Sequence, residues 1–449
     1  MRSCSLHICG TLRGRMAQTE LFRQGLVELK AGRYAEARKL FVENEEKTGT
    51  TAQSKELLRQ AEASLKAGNL DAAANELNTL LERNPTVPEV YVGLARIALF
   101  TNQVADAKTH AMAAVKVGPQ NPLGWTLLGL VHEMEEDTKA ALTHLEKGAQ
   151  LGQNVFLCQF NYGRLLTSEK RAGEGVPFLL KATELEPKNP DAFITLGLAL
   201  RQLRQYEKGL KALEKATEVA PKNPDTWATF ADVLFEVKEF KAARDVLDRG
   251  LDAVGEHPAL LEKVTACAMM LNDTEGAVQY LERELLVAPH HDQAWLNVAH
   301  LSLLTGDLDR SEQAAKALIA KDPKNWEAWF HLGNLYDAIP DEAKAEDAYR
   351  KAIAAKPDEW KVLMNLATLL IQTEVKAKHQ DAKNLLLKAK PLAPAGDWRV
   401  SYNLALAHVR LGEMKEALAL AKEIQAKAAP SDPMVAEAKK LESNILEKS

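Results

Sequence analysis

The chain has 449 residues, of which 46% are hydrophobic and 27% are charged, and its formal net charge at pH 7 is −5. This composition predicts a packed, soluble protein, and the acidic balance argues against broad nucleic-acid binding, which depends on a basic surface. The longest uncharged apolar runs, such as AFITLGLAL at 192–200, are shorter than the roughly 20 residues that cross a bilayer, so we expect no direct membrane insertion.

The first segment, 1–17, begins MRSCSLHICGTLRGR and lacks the apolar core of a signal peptide. A leucine stands three positions before Cys9, but the His and Ile between them make a poor lipidation site. We therefore expect either a disordered tail or a misassigned start, with translation beginning at Met16. The chain has four cysteines and no CxxC pair, which is too few for a disulfide framework and favours a reducing compartment such as the cytoplasm.

From 18 to 430 the sequence repeats itself with a period of about 34 residues. The stretch WFHLGNLY places Trp329, Gly333 and Tyr336 on one face of a predicted helix, because steps of three and four residues bring side chains together. Trp295 stands one period before Trp329. Prolines keep the same spacing, with one or two periods between successive members: Pro85, Pro119, Pro187, Pro221, Pro289, Pro323 and Pro357.

Small residues recur in phase with this period. Glycine inside a helix costs roughly 0.5–1 kcal/mol relative to alanine, so Gly333 indicates that two helix backbones approach closely. Eleven of the twelve equivalent positions are Gly or Ala, in the order Gly25, Ala61, Ala95, Gly129, Gly163, Gly197, Ala231, Thr265, Ala299, Gly333, Ala367 and Ala405. A second set is small throughout: Ala37, Ala73, Ala107, Ala141, Gly175, Gly209, Ala243, Ala277, Ser311, Ala345, Ala382 and Ala417.

A 34-residue period with Trp, Leu-Gly, Tyr, Ala and Pro at fixed offsets resembles the tetratricopeptide repeat. The resemblance covers nearly the whole chain. It implies an all-α, right-handed solenoid in which each repeat is a pair of antiparallel helices that cross at the small residues. The twelve repeats are predicted to begin near Gln18, Ser54, Pro88, Pro122, Phe156, Pro190, Pro224, Pro258, Asp292, Trp326, Trp360 and Asp397.

Several positions depart from the pattern. Proline is missing at Gln153 and Gly255, Thr265 and Glu284 interrupt one repeat, and we place a three-residue insertion at 373–380. The last segment, 431–449, is predicted to be one more helix that caps the array, because the final repeat has no neighbour to cover it. In that helix Asp432 is the expected N-cap and Pro433 the first helical residue; its expected apolar face is Met434, Ala438, Leu441 and Ile445.

No catalytic motif stands out. The sequence has no GxGxxG, GxxxxGK[ST], GxSxG or HExxH, and Cys158 and Cys267 are interpreted as buried spacers. We therefore predict that the chain is not an enzyme and needs no cofactor. Zinc requires three or four ligands that converge on one point, so we also predict no metal site at the four histidines of one region, which are His290, His291, His300 and His331.

The resemblance places the first helix of each repeat on a concave surface. The sixth position of the last eight repeats is rich in small amides and hydroxyls: Asn161, Thr195, Thr229, Lys263, Asn297, His331, Asn365 and Asn403. Asparagine offers two donors and an acceptor, and related arrays use such ladders to bond the backbone of an extended peptide. The same residues are equally consistent with a wet helical surface that binds nothing.

Apolar residues flank this ladder; some are expected to belong to the core, and the aromatic residues at the fifth position are the better candidates for side-chain pockets. The flanking residues are Phe160, Phe330, Met364 and Tyr402 at the fifth position, and Phe235, Met269, Leu303 and Ile371 at the twelfth. The predicted partner-binding set comprises Asn161, Arg164, Asn297, His300, Phe330, His331, Asn334, Met364, Asn365, Arg399, Tyr402 and Asn403.

Some family members clamp a C-terminal carboxylate between lysine, arginine and asparagine side chains of three repeats. Here Asn334 and Asn365 match two of the asparagines, and Arg399 replaces a lysine, but the first lysine and the last arginine are absent. The chain is therefore expected to lack a complete clamp.

These patterns predict a non-catalytic scaffold or adaptor in the cytoplasm that binds a protein or an extended peptide. Membership of a larger complex is a further expectation. Two alternatives stay open at this point. One is a chaperone or targeting factor for unfolded segments, and the other is the recognition subunit of a separate transferase or of a secretion or assembly machine.

Overall fold

A computed structural model of the chain describes residues 19–447, and these residues form 25 helices and no strand. The all-α prediction is confirmed. The predicted tail at 1–17 and the first residue of the first predicted repeat, Gln18, lie outside the described residues.

The helices belong to two compact units, which meet at Val233 and Leu234 within one helix. The helices of the first unit are α1 (Glu20–Lys30), α2 (Tyr34–Thr48), α3 (Thr51–Lys66), α4 (Leu70–Arg83), α5 (Pro88–Phe100), α6 (Val104–Val117), α7 (Pro122–Met134), α8 (Thr138–Leu151), α9 (Phe156–Ser168), α10 (Ala172–Leu185), α11 (Pro190–Gln202), α12 (Tyr206–Val219) and most of α13 (Pro224–Glu236).

The second unit contains the end of α13 and twelve further helices. These are α14 (Phe240–Val254), α15 (Pro258–Met270), α16 (Thr274–Val287), α17 (Asp292–Thr305), α18 (Leu308–Lys321), α19 (Trp326–Ala338), α20 (Glu342–Ala355), α21 (Trp360–Gln372), α22 (Lys376–Ala389), α23 (Arg399–Leu411), α24 (Met414–Lys427) and α25 (Pro433–Glu447).

Odd-numbered helices from α1 to α23 are the first members of twelve pairs. In eleven of these pairs, all except α13 with α14, the first helix packs most extensively on the even-numbered helix that follows it. Nine predicted repeat starts coincide with the first residue of a helix. Two predicted starts were wrong: α3 begins at Thr51 rather than Ser54, and α23 begins at Arg399 rather than Asp397. Both errors follow irregular turns, where the regular spacing no longer fixes the helix start.

Short polar side chains set the helix starts. Among the first helices, Asn121 Oδ1 accepts the backbone N–H of Leu123 at 3.0 Å, and Pro122 takes the first helical position. Among the second helices, Asp137 Oδ1 accepts the N–H of Ala140 at 3.0 Å. An N-cap oxygen satisfies one of the backbone donors that a helix start leaves unpaired, and proline there removes another.

The two helices of a pair approach closely at the small residues. A Cβ atom added to Gly175 would lie 2.7 Å from the carbonyl oxygen of Gly163. Where serine replaces the small residue, Ser311 Oγ instead donates to the carbonyl oxygen of Ala299 at 2.7 Å. At the crossing, the small residue of the second helix thus lies against a backbone carbonyl oxygen of the first helix, which leaves little room for a larger side chain.

In five helix pairs, a side-chain hydrogen bond that the sequence did not predict links the first helix to the turn before it. The aromatic residue at the fourth position of the first helix donates to the carbonyl oxygen of the proline six residues earlier. The bonds are Tyr91 Oη to Pro85, Trp125 Nε1 to Pro119, Trp227 Nε1 to Pro221, Trp295 Nε1 to Pro289 and Trp329 Nε1 to Pro323, at 2.9–3.1 Å. The bond explains why Trp and Pro recur with the same period.

The irregular positions have structural reasons. Gly255, where proline is missing, has φ 96° and ψ −175°, a conformation that is essentially restricted to glycine. The insertion adds residues at the start of α22, so that Ala382 is the seventh residue of its helix, whereas Ala345 is the fourth residue of α20. In α22 the fourth residue is His379, which is buried and bonded through Nε2 to the carbonyl oxygen of Thr373 at 2.7 Å.

Helix α25 packs on α23 and α24. Met434 N–H donates to Asp432 Oδ1 at 2.8 Å, as expected for an N-cap. The residues that α25 buries are Val435, Ala438, Leu441 and Ile445. Met434 is partly buried and packs against the core with Ala438 as predicted, and Val435, which the prediction did not include, is buried as well.

Candidate functional site

The two predicted partner-binding residues of the first unit lie on α9, and both have partners inside the protein. Asn161 is buried, and its Nδ2 donates to the carbonyl oxygen of Leu157 at 2.7 Å. Arg164 forms a bidentate ion pair with Glu133 on α7, with N–O distances of 2.9 and 2.5 Å. Asn161 is therefore bonded within its own helix, whereas the ion pair of Arg164 joins two neighbouring repeats.

In the second unit, Asn297 and His300 lie on α17. Asn297 Oδ1 accepts from Gln293 Nε2 of the same helix at 3.0 Å. The His300 ring is exposed and lies 5.8 Å, centroid to centroid, from the ring of His331 on α19. Burial, and then the nearby His300, lower the pKa of His331 from 6.5 to about 4. His331 is therefore neutral at physiological pH, and its buried Nδ1 has no hydrogen-bond partner in the described residues.

The central feature of the second unit is a set of polar side chains that link consecutive first helices. Asn365 Nδ2 on α21 donates to Asn334 Oδ1 on α19 at 2.9 Å. The hydroxyl of Tyr349, which comes from the second helix α20, donates to the same oxygen at 2.8 Å. Asn403 Nδ2 on α23 donates to Thr368 Oγ1 on α21 at 3.0 Å.

We call Asn334, Asn365, Thr368 and Asn403 the polar row. All four side chains are half-buried. Three of their polar atoms make no hydrogen bond with residues 19–447, namely Asn334 Nδ2, Asn365 Oδ1 and Asn403 Oδ1. Internal hydrogen bonds therefore fix the side chains of the polar row, and the unbonded atoms leave one amide donor group and two acceptor oxygens for a ligand.

The predicted apolar pockets are less open than the sequence suggested. Phe330 and Met364 are half-buried and pack against the core formed by α19 to α23. Tyr402 is also half-buried, and its hydroxyl donates to Glu437 of α25 at 3.4 Å. Among the twelfth-position residues, Ile371 is buried in the core, as expected for some members of this set, whereas Met269 is exposed.

Arg399 differs most from its predicted role. Its guanidinium forms a two-point ion pair with Asp397, with N–O distances of 3.0 and 2.5 Å. The same group lies 5.5 Å from the centre of the Trp360 ring. The ion pair lowers the pKa of Asp397 and raises that of Arg399. An acidic ligand would have to displace Asp397, which the sequence prediction did not anticipate.

In the described part of the chain, no group of three or more His, Cys, Asp or Glu side chains is arranged to hold a metal ion. Of the four clustered histidines, His291 contacts the buried carboxylate of Glu284 through Nδ1. Cys158 and Cys267 are both buried and neither forms a disulfide, and burial raises the pKa of the Cys158 thiol. Between residues 19 and 447, no helix has both the length and the apolar character required to cross a membrane.

Family models described as tetratricopeptide repeat match 64–131 and 200–266 in one form and 303–359 and 378–433 in another, which together amount to more than half of the chain. The chain belongs to the tetratricopeptide repeat (TPR) superfamily. TPR proteins are generally non-catalytic scaffolds, so membership supports a general protein-binding role. No curated protein matches the sequence.

Solved TPR structures resemble the chain at low identity. PilF of Pseudomonas aeruginosa is 23% identical, with 45% of this chain and 92% of PilF covered and a TM-score of 0.38. Yeast Tom70 is 13% identical, with coverages of 89% and 96% and a TM-score of 0.40. A TPR protein of Thermus thermophilus is 21% identical, with coverages of 40% and 99% and a TM-score of 0.35.

The sequence prediction missed two residues, Thr368 and Tyr349, that take part in the hydrogen bonds of the polar row. Thr368 stands one full period after Asn334, so it occupies the same repeat position and could have been found from the period alone. Tyr349 could not, because it reaches the polar row from a second helix, whose side chains were assigned only to the core. Its ring is completely buried, and only its hydroxyl takes part in the site.

Proposed function

We propose that this TPR protein is a non-catalytic adaptor that binds an extended peptide segment of a protein partner along the polar row of its second unit. The observation that carries the proposal is the linked pair Asn334 and Asn365, whose shared hydrogen bond leaves one donor and one acceptor unused. Neither group is a buried unpaired atom, so both are open to solvent. A ligand can therefore replace their water contacts with direct hydrogen bonds, each of which contributes about 0.5–1.5 kcal/mol net.

An extended peptide has the matching chemistry. Its backbone presents one N–H and one C=O per residue at intervals of about 3.3 Å, so successive amides of a ligand can bond to successive asparagines without regard to side-chain identity. Phe330 and Met364 add half-buried apolar surface on the same two helices, α19 and α21. Hydrogen bonds to the peptide backbone would supply affinity for any sequence, and contacts with Phe330 and Met364 would increase the apolar surface that is buried on binding.

The remaining expectations accompany this proposal. We infer that the array extends over 18–430 and that α25, within 431–449, is its C-terminal cap. The four cysteines, none of which belongs to a CxxC pair, support a reducing, cytoplasmic location. The net charge of −5 supports a protein partner rather than a nucleic acid, and the number of repeats suits membership of a larger complex.

The test begins with co-purification at native expression levels, which supplies the partner. The double change Asn365→Ala with Asn403→Ala should then weaken binding of the partner's segment, measured by calorimetry. With net contributions of about 0.5–1.5 kcal/mol for each hydrogen bond, the loss is about 1–3 kcal/mol, or roughly five- to over a hundredfold in affinity. Since both asparagines also bond to neighbouring helices, we expect a modest loss of thermal stability as well.

Asn384→Ala is the matched control. Asn384 is exposed on the second helix α22 and, like Asn297, accepts a hydrogen bond from a glutamine of its own helix. It should leave affinity unchanged. If the double variant loses stability but binds normally, the asparagines only join helices and the binding surface lies elsewhere. A fixed stoichiometric partner supports the adaptor, whereas many unrelated clients would favour a chaperone.

A further inference from the structure

The charges beside the polar row point to the kind of peptide that it would accept. Asp337 follows Asn334 by three residues on α19, so the two side chains share one face of that helix. The Asp337 side chain is exposed and forms no ion pair or hydrogen bond with the residues that the structure describes. It is therefore an unpaired negative charge one helical turn from the row.

Asp337 also lies close enough to Tyr349, which donates to Asn334 of the polar row, for its charge to affect the Tyr349 hydroxyl. Burial is the main cause that raises the pKa of the Tyr349 hydroxyl, and the negative charge of Asp337 is the next. Tyr349 itself donates to Asn334. Partial burial raises the pKa of the Asp337 carboxyl as well, so this carboxylate loses some hydration in the protein without gaining a counter-charge.

The arginines of the neighbouring first helices are, by contrast, already engaged. Arg399 pairs with Asp397, and Arg410 lies 3.6 Å from Glu374. Lys361 on α21 is exposed and lies 5.9 Å from the centre of the Trp360 ring, without an ion pair among the described residues. The first helices therefore present an uncompensated anion on α19, one turn from Asn334, and a separate cation at the start of α21.

We propose that the polar row selects peptides that carry a lysine or arginine, whose side-chain cation pairs with the carboxylate of Asp337. This inference rests on the proposed function, since it names the ligand class for the same site. An ammonium or guanidinium group would supply the missing counter-charge, while the peptide backbone occupies the asparagines.

The experiment uses the full chain and random short peptides displayed on phage. The wild type should enrich peptides with Lys or Arg at one fixed position. A synthetic copy of an enriched peptide should bind Asp337→Asn about three- to fivefold more weakly, as for a partly exposed ion pair. Replacing its basic residue with norleucine should have the same effect on the wild type and no further effect on Asp337→Asn, because both changes remove one interaction.

Asp309→Asn is the charge-matched control. Asp309 is exposed on the second helix α18, and its change should leave peptide affinity as in the wild type. Enriched peptides that lack a basic position, or whose basic residue is indifferent to Asp337→Asn, overturn the inference. If those peptides still depend on Asn365 and Asn403, the proposed function stands. If the wild type enriches no peptide, both are overturned.

Discussion

At the residue scale, the helix crossings are governed by complementary size. Glycine stands opposite a large side chain, as Gly129 does opposite Leu145 and Gly333 opposite Tyr349. Where alanine takes the glycine position, the partner is often alanine too, as in the pair Ala299 and Ala315, the latter sixteen residues on. Close-packed interiors tolerate volume changes poorly. The size of one residue at a crossing therefore limits the size of its partner, and this limit is stricter than the general preference for small residues at these positions.

The Gly333→Ala variant tests this complementarity. A Cβ atom at position 333 would overlap the Tyr349 ring, so we expect a loss of about 1–3 kcal/mol in unfolding free energy, as is typical of overpacking. Adding Tyr349→Leu should recover part of this loss, because leucine is the partner in several other repeats. Urea unfolding provides the measurement.

Gly173→Ala serves as the control for Gly333→Ala. Its added Cβ would approach only Leu203, at 3.9 Å, so helix propensity should make the change neutral or stabilising by up to about 1 kcal/mol. Equal losses in both variants would show that steric overlap with Tyr349 is not the cause.

At the element scale, the turn between the two helices of a pair contains one residue with positive φ in eleven of the twelve pairs. The occupants of this position are Gly32, Gly68, Asn102, Glu136, Lys170, Arg204, Lys238, Asn272, Gly306, Pro340 and Gly412. Glycine and asparagine adopt this conformation readily, whereas other L-residues are strained there by about 1–2 kcal/mol. Five repeats thus keep a residue other than glycine or asparagine in a turn whose geometry is set by the helices on either side.

Replacing such a residue with glycine should stabilise the protein. For Arg204→Gly, relief of strain is partly offset by the greater freedom of glycine in the unfolded chain, which leaves a gain of about 0.5–1 kcal/mol. Lys208→Gly, four residues later within α12 and exposed, should instead lose about 0.5–1 kcal/mol. Thermal melting of the two variants gives the comparison, and a loss in both would contradict the strain at position 204.

At the scale of the whole molecule, stability depends on how the array ends. Contacts in a repeat protein are mainly between neighbours, so an exposed terminal repeat weakens the repeats next to it first. In the second unit α25 buries Leu441 and Ile445 against the last helix pair, together with Ala405 and Ala417. The last helix pair is therefore expected to depend on this one helix.

The variant Leu441→Asp should release α25. Full burial of a leucine contributes about 1.5–3 kcal/mol, and a buried aspartate would find no counter-charge there, so hydrogen exchange should accelerate in α23, α24 and α25. Leu446→Asp makes the same substitution on the exposed side of α25, where the side chain is 59% exposed. It should leave exchange unchanged. Equal protection in both variants would show that α25 does not cap the array.

Much of the fold could be predicted because the period is a local property repeated many times. Each repeat independently reports helix starts, small residues and turn prolines, so errors at single positions such as Thr265 do not spoil the register. The helix starts differ from the predicted repeat starts at Ser54 and Asp397 by two or three residues, because the turns there are irregular and do not follow the 34-residue spacing. The regular spacing also identified Asn334, Asn365 and Asn403 as neighbours on consecutive first helices.

The sequence alone determined the all-α repeat architecture and the phase of every regular helix pair, because helical periodicity and size restrictions are written into each repeat. Only the tertiary structure decided which polar groups are already used. Arg399 is neutralised by Asp397, the buried Tyr349 holds the polar row, and Asp337 is left unpaired among the described residues. Such pairings depend on side-chain geometry between different helices and turns, which a one-dimensional period does not encode.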